Sequence, residues 1–263
     1  MSKTSKAKSS RRSVFIGISV ASVLGFYLVW YLLTDDGFAV IRPLMFPSPS
    51  MVVDAPLALS PETVFKHAYM TTYRMIVGWS LGVALGIGVG LVMSYSRVVR
   101  HVLDPLVESF RPVPVIALLP FFILWFGIDE VGKIVMILLG TFMIMVINTF
   151  EAVTNVNPIY IRAAESLGAT KFSIYRTVIF PAILPSLTAG FRISSALSFT
   201  LVVASEFMGA QLGLGYMIMS ARRTLSTETI FLGCLIFGLV STGIDFMIRK
   251  VVNYLTRWAD RSP

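Results

Sequence analysis

The sequence contains few of the residues that metal centres and disulfide-bonded folds require. Its 263 residues include one cysteine, Cys234, and two histidines, His67 and His101. A single cysteine excludes a disulfide within the chain, and these three residues do not make a usual zinc site. Charged residues are only 14% of the chain, whereas about 25% is typical of soluble domains. We therefore expect no metal or cofactor bound by this chain, and a protein that belongs in a bilayer.

Catalytic signatures are also missing. The sequence has no histidine cluster and no close pair of aspartates within an apolar run. One apolar run is rich in glycine, but no Gly-Lys-Ser or Gly-Lys-Thr follows it, so it is not a phosphate-binding loop. Its glycines have the small-xxx-small spacing that lets membrane helices approach closely: Gly78, Gly82, Gly86, Gly88 and Gly90. We predict a protein that is not an enzyme and takes its energy from a partner or a gradient.

Hydrophobic residues make up 56% of the chain and concentrate in long runs. About 20 helical residues cross the roughly 30 Å of hydrocarbon in a bilayer. The runs predict six transmembrane helices, at about 14–33, 72–95, 103–126, 131–153, 183–210 and 230–252. A short amphipathic piece is predicted at 61–70. The Arg11-Arg12 pair invites a twin-arginine export interpretation, but the run after it is too long for a signal peptide and no clear cleavage site follows.

Basic residues predict the orientation of these spans. The net charge is +8, but no basic, aromatic-interleaved face indicates nucleic-acid binding. Most lysines and arginines fall on one side of the spans, and those on the other side are mainly Arg42, Lys66, Arg74, Lys133, Arg222 and Arg223. The positive-inside rule then predicts a cytoplasmic N-terminus (1–13), a first helix (14–33), an external segment (34–70), a core domain (71–253) with a cytoplasmic loop (154–182), and a cytoplasmic tail (254–263).

A polar, helix-forming stretch from Arg162 to Pro185 separates two apolar spans. Asn157 and Pro158 suit the N-cap and first position of a helix, and Gly168 suits the left-handed residue that ends it. The short helix between them is predicted to have one small apolar face, made of Tyr160, Ala163, Ala164 and Leu167. A second helical piece, from Lys171 to Phe180, is predicted to place Phe172, Tyr175, Val178 and Ile179 on its apolar side. Pro181 and Pro185 should bend or end it.

This loop resembles the EAA-x3-G-x9-I-x-LP segment of the permease subunits of bacterial ABC importers. The sequence has Arg162-Ala163-Ala164, three residues, Gly168, nine residues, then Val178 to Pro181. Arg162 replaces the family's first glutamate, Val178 its isoleucine and Phe180 its leucine. In that family the loop inserts into a cleft of the ATPase subunit and passes its movement to the spans. The resemblance implies that the coupling residues are Arg162, Ala163, Ala164, Glu165, Gly168, Ala169 and Pro181.

Three further segments are similar to the nitrate, sulfonate and taurine branch of the family: FPSPS at 46–50, the stretch 111–134, and GLGYMI at 213–218. The taurine-type permeases also have RAA in place of EAA. The resemblance implies an all-α, type I permease fold of a polytopic membrane protein, with about six transmembrane helices and a cytoplasmic coupling helix. It further implies a homodimer in a bacterial inner membrane, two ATPase subunits that carry ATP and Mg, and an external solute-binding protein. The solute would be a small anion whose identity stays open.

Charged residues inside the predicted spans have two interpretations. Such charges cost about 2.5–3.5 kcal/mol to insert and need a partner or water. Glu108 and Arg111 are spaced to pair on one helix. Arg192 and Glu206 are about 21 Å apart at helical rise and cannot pair within theirs. All could be structural, or some could line a transport pathway. The pathway candidates are Arg111, Pro112, Pro114, Arg192 and Glu206, because the two prolines break the helix beside Arg111 and broken helices at membrane depth usually face a cavity.

Two connections and two other function classes stay open. The segment Trp125–Glu130 is predicted to be an interfacial anchor and turn. The connection Gln211–Thr227 is either a gate or docking surface, or a re-entrant or solvated loop.

A gradient-driven transporter or channel is the alternative function, although matching halves are not evident. A membrane-embedded enzyme is a third class. Co-purification with an ATPase separates the first class from the other two.

Overall fold

The computed structural model describes residues 3–34, 44–207 and 209–257, with side chains from Gly17 onward apart from 58 and 255. Within these ranges the secondary structure is helical, with no strand. The helices are α1 (Lys3–Thr34), α2 (Pro49–Leu59), α3 (Pro61–Tyr95), α4 (Arg97–Phe110), α5 (Leu119–Phe126), α6 (Glu130–Thr154), α7 (Pro158–Ser166), α8 (Lys171–Ile174), α9 (Phe180–Phe207), α10 (Leu214–Arg223) and α11 (Thr227–Leu255). Parts of the predicted external segment and cytoplasmic tail, 35–43 and 258–263, lie outside the described residues.

The chain divides into two compact units. One comprises Met1–Val64 and Ile218–Cys234, and the other Phe65–Met217 and Leu235–Pro263. In the first unit the Trp30 indole lies against the rings of Phe46 and Phe231 and donates to the Pro47 carbonyl at 3.0 Å. The FPSPS segment at 46–50 therefore ties the end of α1 to the start of α11.

Five described helical stretches are long and apolar enough to cross a membrane: Gly17–Thr34, Pro61–Tyr95, Glu130–Thr154, Lys171–Phe207 and Thr227–Tyr254. A sixth crossing is available only as a bent pair, Arg97–Phe110 with Val115–Phe126, which turns by 87° at its break. The predicted count of about six spans is thus confirmed when this pair is taken as one.

The third predicted span, 103–126, is wrong as a continuous helix. Its first half is α4, an amphipathic helix that begins at Arg97 and has no buried residue. The break follows because Pro112 and Pro114 have no backbone N–H to donate to the preceding turn, and a short 3₁₀ turn, Val115–Leu118, then leads into α5.

Two other boundaries differ from the sequence prediction. The separate piece expected at 61–70 is the first part of one 35-residue helix, α3, because Pro61 sits at its start and no proline follows within it. Pro181 and Pro185 do not end the second piece of the loop. A π-helical turn, Tyr175–Ile179, joins α8 to α9, and its wider hydrogen bonding continues the helix past Pro181.

Helix α6 is at the centre of the larger unit, and α3 packs against it along a row of glycines. A Cβ atom added to any of these glycines would lie 2.5–2.7 Å from a Cβ atom of α6, in the pairs Gly78 with Ile137, Gly82 with Thr141, Gly86 with Met145 and Gly90 with Thr149. Gly88 faces open space. The predicted small-xxx-small packing is therefore confirmed for four of the five glycines. Because the paired numbers rise together, α3 and α6 run in the same direction, so the α4–α5 pair between them must return the chain.

Helix α9 packs antiparallel against α6. Gly140 lies against Leu201, Gly190 lies against Asn148, and the Thr141 and Ser198 hydroxyls are 2.8 Å apart. A buried set of apolar side chains joins the ends of α6 and α9 to the segment between them, and we refer to it as the Met145 cluster: Met145, Ala152, Val153, Val156, Ile174, Ile179, Ile183 and Leu187. This cluster is the platform on which the loop helix α7 rests.

Candidate functional site

The loop helix α7 has well-formed ends. The Asn157 side chain accepts a hydrogen bond from the Ile159 N–H at 3.0 Å, and Pro158 takes the first helical position. Gly168 has φ 79°, the Gly168 N–H donates to the Glu165 carbonyl at 2.9 Å, and the Ala169 N–H donates to the Ala164 carbonyl at 3.1 Å. This pair of bonds is the Schellman termination. The predicted N-cap and the predicted positive φ are both confirmed.

The apolar residues of α7 divide between the protein's own core and the surface. Ile161, Ala164 and Ala169 pack against the Met145 cluster. The surface side is exposed and apolar, and we call it the docking face: Ile159, Tyr160, Ala163 and Leu167, the last 88% exposed. Of the predicted apolar face, Tyr160, Ala163 and Leu167 are exposed together, whereas Ala164, one turn after Tyr160, is half-buried at its inner edge.

The second piece of the loop also divides its apolar residues between two sides. Ile174 and Ile179 are buried in the Met145 cluster, whereas Phe172 is 68% exposed. Lys171 anchors this piece to the end of α3, because its ammonium donates to the Tyr95 carbonyl at 2.6 Å and lies 4.3 Å from the centre of the Tyr95 ring. Pro181 is half-buried at the start of α9. The loop is thus held at both ends.

The charged residues of α7 point away from the body of the protein. Arg162 and Glu165 are exposed, and neither forms an ion pair with a described residue. Helix α7 presents apolar surface beside one positive and one negative charge, and no acid, base or nucleophile converges there among the described residues. An exposed apolar face of this kind suits contact with another protein.

A second site, at the other end of α9, is a buried network of charges that we call the Arg74 network. The Arg74 guanidinium is 1% exposed and holds the Glu130 carboxylate in two bonds of 2.5 and 2.7 Å. It also donates to Glu206 and to the Leu212 carbonyl, both at 2.6 Å. Lys133 donates to Glu130 at 3.0 Å. Two positive and two negative side chains therefore neutralise each other and join α3, α6 and α9.

The segment after α9 wraps around the Glu206 carboxylate. The Gly215 N–H donates to Glu206 at 2.8 Å, and the Thr71 hydroxyl, 2.9 Å from the same carboxylate, accepts from the Leu214 N–H at 2.8 Å. A Cβ at Gly213, where φ is 132°, would overlap the carboxyl group. The two glycines of the GLGYMI segment are thus needed for the backbone to pass this close to Glu206.

Sequence reasoning missed Arg74 and Lys133 as partners of Glu130 and Glu206. The positive-inside rule places both basic residues on the external side, but it does not predict that they are buried, at 1% and 7% exposure. The available signal was their position within or beside apolar runs, where a charge needs an opposite charge. Glu206, one of the pathway candidates, lies within this network with its oxygens bonded, and this placement favours the structural interpretation of that residue.

The other pathway candidates lie on open surface. Arg111, Pro112 and Pro114 are exposed at the break between α4 and α5, and Arg111 lies 3.7 Å from Glu108, as the spacing predicted. Arg192 lines a cleft between α9 and α11 that also includes Arg249 and Asn253. The structure does not bring Arg111 or Arg192 together with the Arg74 network through any described hydrogen bond or ion pair.

Comparisons with known proteins agree on one family. The model of the binding-protein-dependent transport system inner membrane component matches residues 82–259. The taurine transport system permease protein TauC of Escherichia coli (strain K12) is 33% identical over 253 residues, covering 94% of this chain and 90% of that protein. A Bacillus subtilis (strain 168) protein named as an aliphatic sulfonates transport permease, SsuC, is 35% identical over 232 residues, covering 88% and 83%.

Among solved structures, an inward-facing form of the MetNI methionine ABC transporter has a chain that superposes with a TM-score of 0.58 at 21% identity, covering 74% of this chain and 96% of that one. This likeness establishes the fold, which is all-α in the described residues and has five to six apolar crossings. The matched family model covers α6, the whole loop, α9 and α11, so it includes the docking face and the α6 and α9 residues of the Arg74 network, but not Arg74 itself. This chain therefore belongs to the family of binding-protein-dependent transport system inner membrane components, the permease subunits of ABC transporters.

Proposed function

We propose that this chain is the non-catalytic transmembrane subunit of an ATP-driven importer, and that two copies of it form one pathway for a small organic anion. Two separate ATPase subunits would bind ATP and Mg, and a solute-binding protein would deliver the solute from outside. Both termini and the loop at 154–182 would face the cytoplasm of a bacterial cell. The names of the relatives, for taurine and for aliphatic sulfonates, favour a sulfonate as the solute.

The docking face of α7 is the observation that supports this function best. Ile159, Tyr160 and Leu167 expose 58%, 60% and 88% of their surfaces on one short helix. Isolated helices of this length are marginal in water, yet α7 is capped at both ends and rests on the Met145 cluster. An exposed apolar face on a firmly held helix suits insertion into a cleft of another protein.

The packing also suggests how movement would pass from the ATPase to the spans. Ala164 and Ala169 pack with Ile174 and Ile179, and those two residues belong to the continuous helical stretch Lys171–Phe207. A push on α7 would therefore turn or tilt that stretch as one body, because close-packed interiors transmit strain. Arg162 is available for an acidic group on the ATPase, so in this chain the partner's contact at the first position of the motif would be acidic.

The test is retention of the ATPase subunit on a tagged permease in mild detergent. Ala163→Trp fills the docking face without touching the protein's own core, and we expect it to abolish retention while leaving membrane insertion unchanged. Leu239→Trp is the matched control, because Leu239 is 74% exposed on α11, away from the loop. Undiminished retention by Ala163→Trp would exclude docking at this face. Ala164→Trp is unsuitable here, since it would strike the Met145 cluster.

The solute requires a second measurement. Proteoliposomes containing the permease, its ATPase and its binding protein should accumulate taurine or a short alkanesulfonate only when ATP is supplied to the side of the docking face. Uptake without the ATPase subunit, driven by an ion gradient, would contradict the proposal and support the gradient-driven alternative.

A further inference from the structure

A cleft between α9 and α11 contains two arginines, Arg192 and Arg249, and the described acidic residues neutralise only the second of them. Thr188 and Arg192 line it from α9, Arg249 and Asn253 line it from α11, and Thr256 lines it from the turn that follows α11. The residues on each helix follow each other at three- or four-residue steps, so each helix contributes a single face. The cleft is therefore a groove between two polar helix faces that belong to otherwise apolar helices.

Arg192 is the unusual member of this set. No described carboxylate lies within ion-pair distance of its guanidinium. At helical rise it lies about 18 Å beyond Phe180 and about 21 Å before Glu206, so it sits inside the spanning stretch and not at its end. A charge at such a position is costly and requires an opposite charge or water. Among the residues that the structure describes, none supplies an opposite charge at this place.

Arg249 is partly neutralised. Asp245, one turn earlier on α11, lies 2.6 Å from its guanidinium. The Thr188 and Thr256 hydroxyls donate to carbonyls of their own helices, at 2.8 and 3.0 Å. The Asn253 amide has no described partner and can donate into the cleft. The free donors that face the groove are therefore the Arg192 guanidinium, part of the Arg249 guanidinium and the Asn253 amide.

We propose that this cleft binds the oxyanion head group of the transported solute, a sulfonate or a carboxylate of similar size. A guanidinium presents two parallel N–H donors that match two oxygens of such a group, and a neutral amide adds a hydrogen bond without adding charge. That the anion is the transported solute rests on the function proposed above. The binding itself does not depend on that function, because it follows from the charges and donors of this chain.

A phospholipid phosphate has the same oxyanion chemistry, so the experiment must separate the two sources. The protein is purified in the assembly in which it leaves the membrane, in neutral detergent with phosphatidylcholine. Its melting temperature is then measured in sodium methanesulfonate and in sodium chloride at equal ionic strength. A ligand that binds the folded state stabilises it by RT ln(1 + [L]/Kd), so the melting temperature keeps rising with ligand concentration. We expect methanesulfonate to raise the melting temperature above its value in chloride, with the concentration dependence of a single binding site.

Variants locate the effect. Arg192→Gln should abolish the methanesulfonate shift, and Arg192→Lys, which keeps the charge but loses the two-pronged geometry, should retain only part of it. Arg223→Gln removes an exposed arginine outside the cleft and should keep the full shift. Asp245→Asn frees Arg249 from its carboxylate, so a given concentration of methanesulfonate should produce a larger shift than in the unchanged protein. If Arg192→Gln does not fold, Asn253→Leu serves instead, and should reduce the shift with no change in charge.

Several results would overturn the proposal. One is the absence of any difference between methanesulfonate and chloride, and another is an equal shift in Arg192→Gln. An Arg192-dependent shift with phosphatidylglycerol alone would assign the cleft to a lipid head group. Loss of the dimer in Arg192→Gln, seen by size-exclusion chromatography, would assign Arg192 to an interface between copies. Because the melting measurement involves no ATP, it gives its answer even if the ATPase retention test fails.

Discussion

Glu206 and Arg192 are charged residues on the same helix, α9, and they have opposite surroundings. Glu206 is 1% exposed and bonds to Arg74, Thr71 and the Gly215 N–H. Arg192 is exposed in a cleft and has no described ionic partner. Both carry the cost of a charge within a span. In one case the protein itself offsets that cost, and in the other it leaves the charge available to a ligand.

This comparison gives a criterion for telling a structural charge within a span from a functional one. Where a charge within a span is saturated by the chain, its loss should lower stability, because its partners are left buried and unpaired. Where a charge is left open, its loss should lower binding or transport and leave stability nearly unchanged. The same criterion applies to glycines, since some are pressed against a neighbouring helix and others face open space.

The largest effect is expected from breaking the Arg74 network. Glu206→Leu leaves the Arg74 guanidinium buried with only Glu130 as its acidic partner, and we expect a loss of about 3–5 kcal/mol in stability. The measurement is thermal unfolding of the purified protein in detergent, together with its yield in the membrane.

Glu130→Gln is the control for this prediction. The Glu130 side chain is 45% exposed, so water can replace some of the hydrogen bonds that its carboxylate makes. We therefore expect Glu130→Gln to lower stability less than Glu206→Leu does. Full stability of Glu206→Leu would mean that the network does not hold α3 to α9. If Glu130→Gln lowered stability as much as Glu206→Leu, the criterion would also be contradicted, because the exposure of the charged side chain would then make no difference.

The next largest effect concerns the glycine row. A side chain at Gly82 would meet the Leu138 carbonyl at 2.7 Å and the Thr141 Cβ at 2.6 Å, so Gly82→Val should force α3 away from α6. We expect a loss of about 1–3 kcal/mol, as for other overpacked sites. Gly88→Val, on the same helix but with nothing within 4 Å, should change the melting temperature little. Equal losses in the two variants would show that the cost arises from the backbone and not from the packing.

Replacing Gly168, just beyond the end of α7, should impair the coupling of ATP hydrolysis to transport more than it lowers stability. No atom lies within 4 Å of a Cβ at Gly168, so Gly168→Val costs only the strain of a positive φ, about 1–2 kcal/mol. We expect transport to fall while the protein still inserts, because the end of α7 is misdirected. The measurement is solute-stimulated ATP hydrolysis beside uptake.

Gly127 provides the matched control for Gly168. It has φ 69° with open space around it, but it lies at the end of α5, away from the loop. Gly127→Val should therefore cost at least as much strain and leave ATP hydrolysis coupled to uptake. Normal coupling of ATP hydrolysis to uptake in Gly168→Val would show that Gly168 has no role in passing movement from the ATPase to the spans.

The smallest effect on stability is expected at Arg111. Its ion pair with Glu108 is 3.7 Å long and both side chains are more than half exposed. Arg111→Gln and Glu108→Gln should each cost about 0.2–1 kcal/mol or less. If Arg111 lines the pathway, as predicted from the broken helix, Arg111→Gln lowers uptake and Glu108→Gln does not. Large losses in both single variants that the double variant recovers would instead make the pair structural, and would remove Arg111 from the pathway.

Much of the loop could be predicted from local sequence alone. Asn157, Pro158 and Gly168 determine where α7 begins and ends through contacts of two to five residues, and these rules need no knowledge of the rest of the fold. The inward face of α7 could not be predicted as well. Ala163 and Ala164 are chemically identical neighbours, and only the position of the Met145 cluster decides which one packs inward.

The spans show the same division. Apolar runs and glycine spacing determined by themselves that the chain crosses a bilayer and that α3 packs closely on another helix, since both follow from the helical repeat and side-chain size. Which helix packs against α3, and which charged residues pair with each other, was decided only by the tertiary structure. Arg74 and Glu206 lie 132 residues apart in the sequence, and no local rule connects them. The 87° turn between α4 and α5 was likewise undetermined, because a proline breaks a helix without specifying where the next segment points. Local hydrogen bonding and hydrophobicity act over a few residues, whereas the pairing of buried charges depends on how distant helices come together.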